Sequence, residues 1–476
     1  MPSFSARGAP DTFSGLIGLA PTATLARMAG ALARFRSFPA PARAFLAGAA
    51  LLEVAHAFQA ALQNLYVLSL AGHSVADAGH VNSASACGVV AATIPAAWAY
   101  ERLGPRRSLS LACALNVTAV AGLAVCSHLA PLLLWSALSG AAYTLHVVVA
   151  APFLVSVALP RDRTALLHAD FAVATIMATG GQLLSCLLAG VLEVGTTQTA
   201  ALRIALLAGA AISLLALVAY QRVPARVAAG ADAVRRAPRA LLAILHREHW
   251  PLWMPLALPH FLIGVGAGFS IPFINLYFTT RFGLGRPALG VVLAAASATM
   301  ALGALFSTRS VPRLGLVRAT ILTQALSLPF FLLLALATSL PVAIAAFVLR
   351  SALMNLGTPL WRTLVMEITP IEWRASVNAA AVLAWNVGWA LSNLWAGVLI
   401  DNSAGWLGSG MDGYALPMLL TIGIYIVAIA IEGRVFWRHR AIGRAAGAAE
   451  LAATHAPGPP EVAEAGAAAE DPLLRA

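Results

Sequence analysis

Five polar side chains interrupt an otherwise apolar run near 44–70: Glu53, His56, Gln59, Gln63 and Asn64. At about 100° per residue along a helix they fall within an arc of roughly 140°. A stripe of that kind is costly against hydrocarbon, so it faces a bundle interior or a water-filled path. Glu53 stands about ten residues into its run, near mid-depth, where a carboxylate can bind and release protons. Its other reading is a structural ion pair. Arg350, some ten residues into an apolar run near 340–366, is the obvious partner. A pair made in one conformation and broken in another would join the two readings. Arg350 cannot shed its charge, so it also suits an anionic or carboxylate-bearing small molecule.

Other polar groups sit in comparable runs. His146 and His260 offer pH-sensitive contacts, and Asn275 and Asn355 offer amides. With His56, Gln59 and Gln63 they make the expected lining of a solute cavity. Buried histidines are also commonly satisfied by hydroxyls or backbone. Asn275, with Tyr277 beside Pro272, is expected at a broken helix, where packing would equally explain it. Asp170 is expected to pair with Arg161 or Arg163. His56, His146 and His260 show no close ligand spacing, so no metal is expected, nor any cofactor.

These residues must be positioned by elements built for lipid. The chain has 476 residues, 60% hydrophobic and 10% charged, with a mean hydropathy of +0.82. Soluble domains carry about 25% charge, so a water-facing globule is excluded. Twelve apolar runs of spanning length occur, near 44–70, 81–99, 108–128, 131–159, 165–192, 199–220, 251–278, 288–308, 317–338, 340–366, 375–400 and 414–437. Cys87, Cys113, Cys126 and Cys186 fall inside such runs and read as packing residues.

The net charge is +11, and all 30 basic residues are arginine. They lie in short loops between runs, the pattern of loops facing anionic lipid, which argues against nucleic acid. A cytoplasmic N-terminus leaves only Arg203, Arg281 and Arg286 at or near external loops, with Arg350 inside a span. Both termini are therefore expected in the cytoplasm. No convincing signal peptide precedes the first run. The expected division is a cytoplasmic tail (1–43), a six-helix bundle (44–220), an arginine-rich cytoplasmic linker (221–250), a second six-helix bundle (251–440) and a disordered cytoplasmic tail (441–476).

The halves repeat. Arg102-Leu103-Gly104 follows the second run and Arg313-Leu314-Gly315 the eighth, 211 residues apart. Pro160 with Ala165 opens the fifth run as Pro370 with Ala375 opens the eleventh. Ala189-Gly190-Val191-Leu192 closes the fifth as Ala396-Gly397-Val398-Leu399 closes the eleventh, 207 apart. Matches in register at a near-constant offset argue for duplicated halves.

From about 44 to 440 this arrangement resembles the major facilitator superfamily of secondary transporters. The family's loop after the second span reads approximately G-x-L-x-D-R-x-G-R-[RK]. Here it is Ala97-Trp98-Ala99-Tyr100-Glu101-Arg102-Leu103-Gly104-Pro105-Arg106-Arg107, with Arg102, Gly104 and Arg106 matching and Glu101 in place of Asp. The resemblance implies an all-α membrane fold of twelve helices in two pseudo-symmetric bundles. It also implies a cytoplasmic gate built from Glu101, Arg102, Gly104 and Arg106, with Arg313, Gly315, Glu367 and Arg374 serving the second half. Plain positive-inside loops would account for the same arginines. In the family the first, fourth, seventh and tenth helices line the cavity. Drug–proton antiporters carry a G-P-x-x-G-G-like element on the fifth; here Gly180-Gly181-Gln182-Leu183-Leu184-Ser185 lacks its proline and a glycine.

The expected function is alternating-access transport of a small organic solute in the inner membrane. Proton-coupled export by antiport leads, and proton-coupled uptake (symport) of a small solute, an anion among the candidates, is the alternative. The carrier is expected to be monomeric and not an enzyme. A membrane enzyme would have to use a weak constellation of His246, Glu248 and His249.

Overall fold

A computed structural model describes residues 35–159, 162–226, 250–369, 373–406 and 413–437. Among them every regular element is helical: α1 (Ala40–Ser69), α2 (Val75–Val125), α3 (Leu129–Val157), α4 (Arg163–Glu193) and α5 (Gln198–Tyr220), then α6 (Trp250–Ser270), α7 (Ile274–Leu276), α8 (Arg286–Leu314), α9 (Leu316–Leu336), α10 (Leu340–Ile368), α11 (Arg374–Trp406) and α12 (Ala415–Trp437). Ten helices among the described residues are long and apolar enough to cross a membrane.

The longest of these, α2, crosses twice. Its 51 residues would stretch about 76 Å at 1.5 Å each, against a hydrocarbon layer of about 30 Å. The chain turns at Gly104, where φ is 75°. A side chain there would meet its own carbonyl, so glycine is the residue that fits. Gly315, before α9, has the same φ of 75°. The two Arg-Leu-Gly repeats thus make the same backbone turn, and both lie on one side of the molecule, the turn face.

The seventh span is broken. Pro272 has no N–H to donate, and α6 gives way to a 3₁₀ turn (Ile271–Phe273), the short α7 and a π-helical turn (Tyr277–Arg281).

Neighbours repeat between halves. In the first, α1 packs on α4 and α5, and α2 on α3 and α5. In the second, α6 packs on α11 and α12, α10 on α8 and α9, and α9 on α12. These are two six-helix bundles of the same plan. Toward the turn face each has its own core: Phe45, Leu109, Phe153 and Tyr220 in one, Leu256, Val317, Leu364 and Phe436 in the other. On the far face a single core runs through both, joining Leu62, Tyr66, Val81 and Leu206 to Phe273, Tyr277, Leu289 and Ile400. The halves share one core at the far face and keep separate cores toward the turns.

Candidate functional site

The polar stripe of α1 lies inside the first bundle. Ser139 Oγ donates to Gln59 Oε1 (2.7 Å), Gln59 Nε2 to Gln63 Oε1 (2.7 Å), and Gln63 Nε2 to Asn82 Oδ1 (3.2 Å). One line of hydrogen bonds therefore crosses α3, α1 and α2, satisfying amides that hydrocarbon would leave bare. Two turns nearer the turn face, Glu53 is half-buried. Among the described residues no basic side chain lies within ion-pairing distance of it. Its electrostatic neighbours are Asp170 on α4, Tyr143 on α3 and Tyr220 on α5.

Two histidines lie within the same bundle. His56 meets Tyr143 edge-on, ring centroids 5.0 Å apart. Neither of its ring nitrogens has a partner within hydrogen-bond geometry, and the buried Asn116 nearby also keeps an unpartnered Oδ1. His146 is 4% exposed, stacked on Phe45, with Nδ1 3.2 Å from the Tyr220 hydroxyl. It belongs to the aromatic core of the first bundle, not to an open wall.

Arg350 does not reach Glu53. Its guanidinium stands 5.0 Å from the Phe331 ring centroid, with Nη2 3.5 Å from Ser351 Oγ and Nε unpartnered. At 5% exposure it is enclosed in the second bundle, near Phe331 of α9 and Tyr425 of α12. His260 stacks on Trp361 at 3.5 Å. Asn355 Nδ2 donates back to Ser351 O of its own helix (2.8 Å), the usual resolution for an amide inside a span.

Asn275 ties the halves together instead of lining a path. Its Nδ2 donates to Ala61 O of α1 (3.0 Å), while Asn64 Nδ2 of α1 donates to Pro272 O (2.5 Å). Both asparagines are 3% exposed. The signal that would have revealed this is a repeated triplet: Asn64-Leu65-Tyr66 and Asn275-Leu276-Tyr277 are 211 residues apart, the offset of the Arg-Leu-Gly turns.

At the turn face Glu101 and Arg102 are exposed, and Arg102 lies over the Trp98 ring at 4.1 Å. Arg106 Nε donates to Val223 O just beyond α5 (2.6 Å), a contact inside the first half. The side chains of Arg313, Glu367 and Arg374 lie outside the described residues, as do Pro160 and Pro370. Gln182, at the position of the antiporter proline, accepts from Ser297 Oγ of α8 (2.9 Å). Among the described residues no group of His, Cys, Asp and Glu could hold a metal ion.

The sequence profile of the Major Facilitator Superfamily matches residues 44–393 and 256–457. The chain belongs to that superfamily. Its plan of two six-helix bundles is that of the superfamily's transporters, which move a solute by alternating access and are not enzymes. The fold is shared with a bacterial homolog of the human lysosomal transporter Spinster, in an inward-facing and occupied form (TM-score 0.67, 15% identity, 84% of this chain and 97% of that one). It is shared with a D-xylose-proton symporter (TM-score 0.65, 16% identity, 82% and 96%) and with the human organic anion transporter MFSD10 (TM-score 0.55, 17% identity, 83% and 100%). At such identities the likeness is one of fold. No curated protein matches the sequence.

Proposed function

We propose that this superfamily member is a proton-coupled carrier in the inner membrane that exports a small organic solute in exchange for protons, with Glu53 as the proton site. The observation that supports it is the setting of Glu53: a carboxylate inside the bilayer, without a cationic partner among the described residues, beside a second carboxylate, Asp170. Intramembrane carboxylates so placed serve as proton relays. One structural neighbour is a D-xylose-proton symporter, which supports the reading.

In this reading the two bundles, 44–220 and 251–440, rock about a midplane cavity. The linker 221–250 and both termini lie in the cytoplasm with the turn face, by the distribution of arginines. Glu101, Arg102, Arg313, Glu367 and Arg374 meet between the halves when that face closes. The test is flux into proteoliposomes. Glu53→Gln should abolish accumulation driven by a pH gradient yet spare exchange down a solute gradient; retained uphill transport would remove Glu53 as the coupling site.

Arg350 favours a second reading, proton-linked uptake of an anionic solute. A buried guanidinium keeps its charge, and among the described residues no carboxylate neutralises it. One structural neighbour is an organic anion transporter. A thermal-stabilisation screen of small anions, repeated on Arg350→Ala, separates the readings: stabilisation lost in the variant supports uptake, and an unchanged profile leaves export.

A further inference from the structure

The far face is closed by contacts that obey the pseudo-twofold axis bond by bond. Asn64 donates to the carbonyl of Pro272, and Asn275 to the carbonyl of Ala61. Adding 211 to the donor Asn64 gives the donor Asn275, and adding 211 to the acceptor Ala61 gives the acceptor Pro272. The two acceptors differ in setting. Ala61 lies within the unbroken α1, so its carbonyl takes the Asn275 amide as a second donor. The amide of Leu276 is instead turned to Asn275 Oδ1 (2.9 Å) and leaves the Pro272 carbonyl to Asn64. Pro272 sits where the seventh span is broken, so its carbonyl is offered sideways.

Two acidic contacts flank this pair at matching places. Glu193, ending α4, binds Arg286 at the start of α8 (2.9 Å). Asp401, near the end of α11, accepts the N–H groups of Val75 (3.3 Å) and Ala76 (2.8 Å) at the start of α2. The seams between them are glycine-tight. A Cβ on Gly79 would strike Asn393 of α11, and one on Gly290, 211 residues later, would strike Cys186 of α4.

We infer that Asn64 and Asn275 form a reciprocal clasp that sets the conformational balance of the carrier by locking the far face. Both bonds join different halves, so neither survives when that face opens. Both asparagines are buried, 3% exposed, so in the closed state water does not replace a bond that is lost. Removing either donor therefore raises the closed state relative to an open one in which water reaches the carbonyl. The inference rests on alternating access and not on protons or on any particular solute.

The test is distance measurement by pulsed electron spin resonance on purified protein with its four native cysteines replaced by alanine. One spin-label pair, Ala71→Cys with Thr338→Cys, reports the far face; another, Arg107→Cys with Arg318→Cys, reports the turn face. Asn64→Ala and Asn275→Ala should each raise the far-face-open population about three- to tenfold. Their effects should be similar, larger still in the double variant, and matched by shortening at the turn face. Asn64→Leu and Asn275→Leu, which keep bulk but remove the donor, repeat the measurement if the alanine variants do not purify. An unchanged far-face distribution, a response from only one asparagine, or loosening without closure at the turn face would overturn the clasp. Because no proton gradient or solute is present, the result is independent of Glu53.

Discussion

Tyr66 and Tyr277 make the same bond in opposite halves: the Tyr66 hydroxyl donates to Ala124 O at 2.6 Å, and the Tyr277 hydroxyl to Leu334 O at 2.7 Å. Each pins the far end of its span to the far end of the helix two spans later. Both tyrosines are fully buried.

The Tyr66 hydroxyl also lies 3.1 Å from Cys126 O and accepts from Arg203 Nη2 at 3.5 Å. Tyr66→Phe and Tyr277→Phe leave packing intact. Each removes a carbonyl's donor, a loss of about 1 kcal/mol, and the Tyr66 change should cost more because it also loses these contacts. Thermal unfolding in detergent should show the larger decrease for Tyr66→Phe. Equal decreases would mean that the Cys126 and Arg203 contacts add nothing.

The turn at Gly104 combines a left-handed backbone with a near neighbour, because a Cβ would collide with the carbonyl of Ala225. Gly72 has the same hand, φ 81°, with nothing near it. Strain alone costs about 1–2 kcal/mol. Gly104→Ala should thus destabilise clearly more than Gly72→Ala, measured by thermal melting of the two variants side by side.

The ion pair between Glu193 and Arg286 is lopsided: side-chain exposure is 28% for the acid and 9% for the base. Deleting the arginine leaves a carboxylate that water reaches, whereas deleting the acid leaves a guanidinium enclosed. Glu193→Ala should cost about 1–3 kcal/mol and Arg286→Ala less. The reverse order in unfolding experiments would show that the acid is the more confined partner.

Gln59 is the joint of the hydrogen-bonded line across the first bundle. Gln59→Leu strands the Ser139 hydroxyl and Gln63 Oε1 together, for a loss of about 2 kcal/mol. Ser139→Ala strands only one acceptor, so it should cost about half as much. Melting temperatures of the two variants check the ratio.

The architecture was legible in the sequence because lipid imposes a coarse rule. Uninterrupted apolar runs must be helices, and the glycines of Arg102-Leu103-Gly104 and Arg313-Leu314-Gly315 do adopt one backbone conformation. The α1 stripe does turn inward, since Gln59, Gln63 and Asn64 are all buried. What spacing could not supply is the azimuth of each side chain about its helix. Arg350 and Glu53 point into different bundles, Arg350 toward Phe331 of the far-face core and Glu53 toward Tyr220 of the turn-face core. Asn275 satisfies a backbone carbonyl across the interface, and His146 stacks in an aromatic core, because an amide and an imidazole in lipid take the partner that packing brings. The repeated Asn-Leu-Tyr triplet was the one overlooked clue.

A contact in which one member grips its opposite while that opposite's counterpart grips back is the geometry of an isologous dimer interface. A polypeptide of half this length, meeting its own copy, would have written both asparagine bonds with a single codon. In the fused chain they are two separate loci. Drift at Asn64 or at Asn275 can therefore weaken the lock one bond at a time, a gradation closed to a symmetric dimer, in which one substitution would delete both bonds at once.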